Sequence, residues 1–225
     1  MSLTFQNRHK PLDIVIVANG EFPSHPVPLT VLRSAEYIIC CDGSLEKLLK
    51  ADFTPDAVVG DMDSLPEELQ RLYSSIIYKC PEQENNDLTK AVFHAIEQHP
   101  DSISIVGATG LREDHTIGNI SLLSHYRALL DTHTGNSKVS ITLYSDTGKF
   151  FPITGGASIG LPTGSSVSIF SLDTNINIRS KGLRYPLDRV IFDSWWKATL
   201  NEVADSPFEL IFETGRVILY AAYEN

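Results

Sequence analysis

The pattern that most constrains the fold of this chain is an alternation repeated five times in its first half. Residues 12–18 (LDIVIVA), 37–41 (YIICC), 57–59 (AVV), 76–79 (IIYK) and 102–106 (SISIV) are short apolar runs. Between and after them, residues 29–34, 45–51, 67–73, 87–98 and 115–130 carry apolar side chains at helical spacing. The two clearest stripes are Leu88, Ala91, Val92, Ala95 and Ile96, and Ile117, Ile120, Leu123 and Leu129. Strands alternating with helices predict a largely parallel sheet, because parallel neighbours need a long crossover and a helix is the usual one. After the polar segment 131–138, which contains Gly135, the pattern changes. Residues 139–144, 166–172, 175–178, 208–213 and 217–221 are rich in β-branched and aromatic types, and Gly155-Gly156, Pro162 to Gly164 and Thr214-Gly215 punctuate them as turns. An antiparallel sandwich or barrel is expected there, which divides the chain into a first domain at 1–134 and a second at 135–225.

Charge narrows the partners. With 18 Lys+Arg against 28 Asp+Glu the formal charge is -10, so a nucleic-acid backbone or an anionic membrane would be repelled by most of the surface. Residues 1–11 contain no apolar leader core, and no later run is long enough to span a bilayer. The three cysteines, Cys40, Cys41 and Cys80, fit neither a disulfide framework nor a zinc site. A soluble protein of the reducing cytoplasm is the expectation.

Chemistry collects after the apolar runs. They lead in order into Asn19-Gly20, into Asp42-Gly43-Ser44, into Gly60-Asp61-Met62-Asp63-Ser64, into Glu84-Asn85-Asn86-Asp87, and into a loop from Gly107 through Thr109, Gly110, Arg112 and Asp114 to His115. In a parallel sheet all five loops emerge at the carboxyl edge, where ligands bind. Residues two apart in an extended segment share a side, so Asp61 and Asp63 could present two carboxylates to a hard cation such as magnesium. The competing reading is a solvated turn with Ser64 capping the next helix. Asp87 and Lys90 share a helix face, as metal and phosphate contacts or as a solvated pair behind an Asn86 cap. Gly107 and Gly110 free backbone N–H groups for an anion, and Arg112 adds a charged fork. Because acids outnumber bases in these loops, a triphosphate could enter only with a metal, and the same excess would attract a cationic second substrate.

The segments ANGEFP at 18–23, CDGS at 41–44, PDAVVGDMDS at 55–64, NDLTKA at 86–91, GATGLREDHTIGN at 107–119, GLRYPL at 182–187 and LNEV at 200–203 resemble, in that order, the thiamine pyrophosphokinase family. The resemblance implies an α/β fold: an N-terminal Rossmann-like parallel sheet with flanking helices, then a C-terminal antiparallel β-sandwich or barrel. It implies transfer of a pyrophosphoryl group from ATP to thiamine, with AMP as the other product. By the same resemblance Asp61, Asp63 and Asp87 would hold Mg2+ and, with Arg112, carry catalysis. ATP would lie against Asn19, Gly20, Asp42, Gly43 and Lys90 on one side, and against Gly107, Thr109, Gly110, Arg112, Asp114 and His115 on the other. Thiamine would meet Asp114, Tyr185 and Asn201, in a homodimer whose sites are shared between subunits. Asn86, Leu111 and Leu200 depart from the family pattern, and Trp195 and Trp196 are expected in the core or an interface. The alternatives are a metal-dependent phosphate-ester hydrolase and a non-catalytic thiamine or nucleotide binder.

Overall fold

The computed structural model describes residues 12–134 and 139–224. Residues 1–11 and 135–138, with the Gly135 part of the expected boundary, lie outside the described residues. Strands β1 (Asp13–Val17), β2 (Tyr37–Cys41), β3 (Ala57–Gly60), β4 (Ile77–Lys79), β5 (Ser102–Val106) and β6 (Ser140–Tyr144) stand in the order β6-β5-β1-β2-β3-β4, all parallel. Helices α1 (Pro26–Arg33), α2 (Leu45–Lys50), α3 (Glu67–Leu72), α4 (Asp87–Glu97) and α5 (Glu113–Thr134) occupy the crossovers. β1 shows why the apolar runs are nearly continuous: alternate residues point to opposite faces, and both faces are covered. Ile14 and Ile16 pack with Ala91, Val92 and Leu123 of α4 and α5, while Val15 and Val17 pack with Leu32, Leu45 and Leu48.

The stripe expected on α4 is buried throughout. That on α5 runs instead through Leu123, Tyr126 and Leu130, all fully buried, and Ile117 is 54% exposed. Asn86 caps α4, its Oδ1 accepting from Thr89 N at 2.9 Å and Thr89 Oγ1 at 2.7 Å, and that hydroxyl lies 2.9 Å from Tyr126 Oη. An amide caps as well as a hydroxyl, so the departure at Asn86 leaves the helix start intact. Asn86→Ala is expected to lower unfolding stability by about 1 kcal/mol in a urea titration, and an unchanged midpoint would remove the capping role.

The sheet continues past β6 through β7 (Gly148–Ile153), β13 (Val217–Ala222), β9 (Ser166–Ser171) and β11 (Asn201–Glu202), making ten strands in all. These added strands are antiparallel to their neighbours. A second sheet, β10 (Arg179–Lys181), β12 (Phe208–Ile211) and β8 (Ala157–Ile159), faces them across a core that includes Val167, Ile169, Leu219, Phe208 and Leu210. Two expectations are corrected here. Residues 139–144 pair parallel with β5 over five positions, so this run extends the first sheet. Residues 175–178 form no strand; Ile178 is a buried anchor and the strand follows it as β10.

Candidate active site

The chain leaves β4 at one edge of the parallel sheet and re-enters at β5, beside β1. The loops after β1 and β5 therefore part at a topological switch point. They are zipped together before they part: Ala18 N donates to Val106 O at 2.9 Å, Gly20 N to Gly107 O at 2.6 Å and Glu21 N to Thr109 O at 2.8 Å. Only glycine fits at position 20, where a Cβ would stand 2.5 Å from the carbonyl oxygens of Gly107 and Thr109. Lys47 holds the other side of this loop, its Nζ donating to Asn19 O, Asn19 Oδ1 and Gly20 O at 2.8–3.1 Å. Nothing in the sequence distinguished Lys47 from a solvated helix lysine.

Asp42, in the turn after β2, is 1% exposed. Its Oδ2 accepts from Ser64 N at 3.3 Å, and its Oδ1 has no partner among the described residues. The next loop is not extended as the two-residue spacing assumed. Met62 has a φ of 69°, Asp61 Oδ1 accepts from Asp63 N at 3.1 Å, and the chain turns back on itself. The two carboxylates converge all the same, and one oxygen from each of Asp42, Asp61 and Asp63 falls within 4.8 Å of the others. Ser64 does not cap α3; its Oγ donates to Asp63 Oδ1 at 3.0 Å.

Burial pushes the Asp42 carboxyl above its ordinary range, against the pull of Ser64 N–H and with the charges of Asp87, Asp61 and Asp63 adding to the rise. Asp61 moves the other way, held down first by the Gln83 amide at 3.0 Å and then by Asp63 N–H. Three hard oxygen donors, one of them buried and unpartnered, suit a divalent cation such as Mg2+ and do not suit a soft metal.

Asp87 stands beside this cluster. Gly60 makes the approach possible, since a Cβ there would lie 2.7 Å from Asp42 Cβ and 3.3 Å from Asp87 Oδ1. Asp87 Oδ1 accepts from Lys90 Nζ at 3.1 Å, and Asp61 Oδ2 is 4.0 Å from the same nitrogen. Lys90 is 5% exposed, which rules out the solvated pair. Burial opposes its charge, but the Asp87 hydrogen bond and the fields of Asp87, Asp61 and Glu82 outweigh that and raise its pKa. Asp42 thus joins Asp61 and Asp63 in the cluster, and Asp87, which the family resemblance places with them, stands beside it in a hydrogen bond with Lys90.

On the opposite wall, Arg112 is paired with Asp114, Nη2 to Oδ2 at 2.5 Å and Nε to Oδ1 at 3.0 Å, with both side chains exposed. The guanidinium holds the Asp114 carboxyl down to about 2. Asp114 is the second residue of α5, inside the helix and not its cap. Asn119, unmarked in the sequence reading except as the end of a motif, joins the two walls: Nδ2 donates to Ala108 O at 2.9 Å and Oδ1 accepts from Asn86 Nδ2 at 3.4 Å. A cleft of about 380 Å3 lies between, with Asn19, Gly20, Asp87, Thr109, Arg112 and His115 in its lining and Leu111, 65% exposed, on its wall.

Tyr185 and Asn201 do not line this cleft. Tyr185 is exposed, whereas Asn201 is buried and its side chain is spent on backbone: Oδ1 on Tyr185 N at 3.1 Å and Glu202 N at 2.9 Å, Nδ2 on Tyr185 O at 2.7 Å. Trp196 is 71% exposed and Trp195 37%, so neither is a core residue; Trp195 meets Phe170 edge-on.

Comparison with known proteins matches both halves. The description "Thiamin pyrophosphokinase, catalytic domain" fits residues 29–132, which hold Asp42, Asp61, Asp63, Asp87, Lys90 and Arg112. "Thiamin pyrophosphokinase, substrate-binding domain" fits residues 148–220, which hold Tyr185 and Asn201. The thiamine pyrophosphokinase of Bacillus subtilis (strain 168) is 36% identical over 117 residues, 49% of this chain and 53% of that protein. Thiamine pyrophosphokinase 1 of Oryza sativa subsp. japonica is 31% identical over 157 residues, 59% of this chain and 55% of that protein. These alignments span about half the length of the curated relatives. The crystal structure of the Bacillus subtilis enzyme has a TM-score of 0.74 at 26% identity, with 95% of this chain and 100% of that one covered. Thiamin pyrophosphokinase from Candida albicans, at 18% identity, shares the fold with a TM-score of 0.74 over 95% of this chain and 90% of that one. Two domain descriptions of one family, met in order and together taking in most of the residues on a matching fold, establish that this chain belongs to the thiamine pyrophosphokinase family.

Proposed function

We propose that this protein transfers the pyrophosphoryl group of ATP to the hydroxyethyl oxygen of thiamine, giving thiamine diphosphate and AMP. The observation that carries the reading is the convergence of Asp42, Asp61 and Asp63 next to the buried Lys90, whose partner Asp87 lines one cleft with Arg112. The thiamine hydroxyl oxygen attacks the β-phosphorus, the bond from that phosphorus to the oxygen bridging to the α-phosphorus breaks, and AMP leaves with that oxygen. Asp42, Asp61 and Asp63, with Asp87 beside them, would hold Mg2+. Bound there, the cation supplies neutralisation of the phosphate charge during transfer. Lys90 brings a fixed positive charge that its neighbouring acids keep protonated. Arg112 has a planar fork that can exchange Asp114 for a phosphate. Asp87, which lines the cleft, receives the hydroxyl proton. The excess of acids draws in a permanently cationic thiazolium.

We also read the protein as a homodimer of the reducing cytoplasm, with its three cysteines as free thiols. Among the described residues no helix is long and apolar enough to cross a membrane. The sheet order supports a shared site. β11, which carries Asn201, is eight strand spacings from β3, and at about 4.8 Å each that is roughly 38 Å along the sheet. A Tyr185 that meets substrate beside the Asp61–Asp63 cluster is then most simply supplied by a second copy. Exposed Trp196, Leu200 and Ile191 give that copy apolar surface to cover.

Incubation with ATP, magnesium and thiamine should yield AMP and thiamine diphosphate in equal amounts. Phosphate released without thiamine would replace this reading with a hydrolase. Thiamine binding with no AMP formed would replace it with a binding protein.

A further inference from the structure

Lys47 is a cation with no acid to answer it. It stands on α2, where Leu45 and Leu48 are fully buried and fix that turn of helix against the sheet. All three N–H groups of its ammonium are spent on one loop, on Asn19 O at 3.1 Å, Asn19 Oδ1 at 2.9 Å and Gly20 O at 2.8 Å. No carboxylate among the described residues pairs with it, and burial pulls its pKa below the ordinary lysine range. A partly desolvated charge without a counter-ion is a cost to the fold. What it secures is an orientation.

These contacts set the polarity of the Asn19 amide. An ammonium only donates, so the amide atom that meets it is the oxygen, and Nδ2 is turned the other way. Gly43 leaves the room that this nitrogen needs, since a Cβ there would stand 2.3 Å from it. Asn19 is exposed, and its Nδ2 meets no acceptor among the described residues. It lines the cleft with Gly20, Asp87 and Arg112, and with its oxygen held by Lys47 the donor end is the one left for a ligand.

The same lysine draws the carbonyl oxygens of Asn19 and Gly20 to the α2 side. Acids outnumber bases around this cleft, so an anion enters against the field. Three oxygens turned away from it and two N–H groups offered to it both act in its favour.

We propose that Lys47 is a positioning residue of the nucleotide site: it acts through Asn19, holding Oδ1 so that Nδ2 is presented as a donor to a phosphate oxygen of ATP. This role rests on the reading of ATP as the donor nucleotide, and Lys47 itself does not line the cleft.

The test is a calorimetric titration of ATP with Mg2+ into the full chain without thiamine, joined to the AMP assay on the same proteins. Asn19→Asp keeps an oxygen for Lys47 and sets a second, charged oxygen where Nδ2 stood. It should weaken ATP by roughly tenfold or more, the scale of a hydrogen bond to a charged group. Lys47→Met keeps the stem and frees the amide to turn. It should weaken ATP several-fold, the change falling on KM for ATP and not on kcat. In an Asn19→Ala background no amide remains to be turned, and there Lys47→Met should weaken ATP by a smaller factor; a lysine that only braces the loop gives the same factor in both. Equal factors would overturn the proposal, as would undiminished ATP binding by Asn19→Asp or by folded Lys47→Met. Should Lys47→Met unfold, Asn19→Asp decides the matter alone, because Asn19 is exposed and its shape is kept. A wild-type chain that binds ATP yet forms no AMP with thiamine would end the transfer reading and leave the role of Lys47 to the titration. Failure to bind ATP at all would overturn both.

Discussion

Asp61→Asn is expected to cut AMP formation by about 10²–10³-fold or more, the scale on which a single electrostatic group at a transferring centre acts, while the protein unfolds at an unchanged denaturant concentration. The substitution keeps shape and keeps the Oδ1 acceptor that receives Asp63 N–H, so the turn at Met62 survives. What it removes is one negative charge from the oxygen shared with the exposed Gln83 amide, 4.0 Å from Lys90. Gln83 can turn to accept where it now donates. Near-normal AMP formation with magnesium as the only metal would reject the assignment. Asp42→Asn makes a useful contrast. It should cut AMP formation equally, yet raise the unfolding midpoint in metal-free buffer, because the carboxylate it neutralises is buried, has one oxygen without a partner among the described residues and sits among like charges. A residue kept for stability alone would give the opposite sign.

The parallel half was legible because its central strands β1, β2, β3 and β5 bury both faces, which leaves a nearly unbroken apolar run for each, and because each run ends at the same edge. Asp61, Asp63, Asp87, Lys90 and Arg112 could be picked out on that ground before any coordinates. Asp42 could not be given its place, since what puts it there is long-range: a hydrogen bond from Ser64 and the missing side chain of Gly60. The positive φ of Met62 carries no sequence signal in a residue other than glycine or asparagine. Lys47 and Asn119 act on backbone carbonyls of loops far away in sequence, and such contacts leave no periodicity to read. The second half was harder for a different reason. β8, β10 and β11 have two or three residues each, too few for alternation to declare itself, and β7 contains Pro152. The hydrogen bonds of Asn201 to both backbone groups of Tyr185, sixteen residues away, leave no such pattern either.

An equal mixture of Asp61→Asn and Tyr185→Lys chains, co-expressed so that subunits pair at random, is expected to recover roughly a quarter of the wild-type turnover, above the mean of the two variants assayed alone. Tyr185 is 57% exposed and its backbone stays anchored by Asn201, so a lysine is accommodated without disturbing the fold. The change removes a ring whose attraction for a cation is worth about 0.5–2 kcal/mol and sets a like charge in its place, so the defect shows best at thiamine concentrations below KM. Random pairing makes half of the dimers mixed. If the acidic cleft of one subunit works with Tyr185 of the other, each mixed dimer contains one site with both parts intact and one with both parts damaged. If instead each chain completes its own site, every site in the mixed dimer carries one lesion, and the mixture shows no more than the mean of the two residual activities. That second outcome would end the shared-site reading, and it would require Tyr185 to reach the cleft across the span of its own sheet.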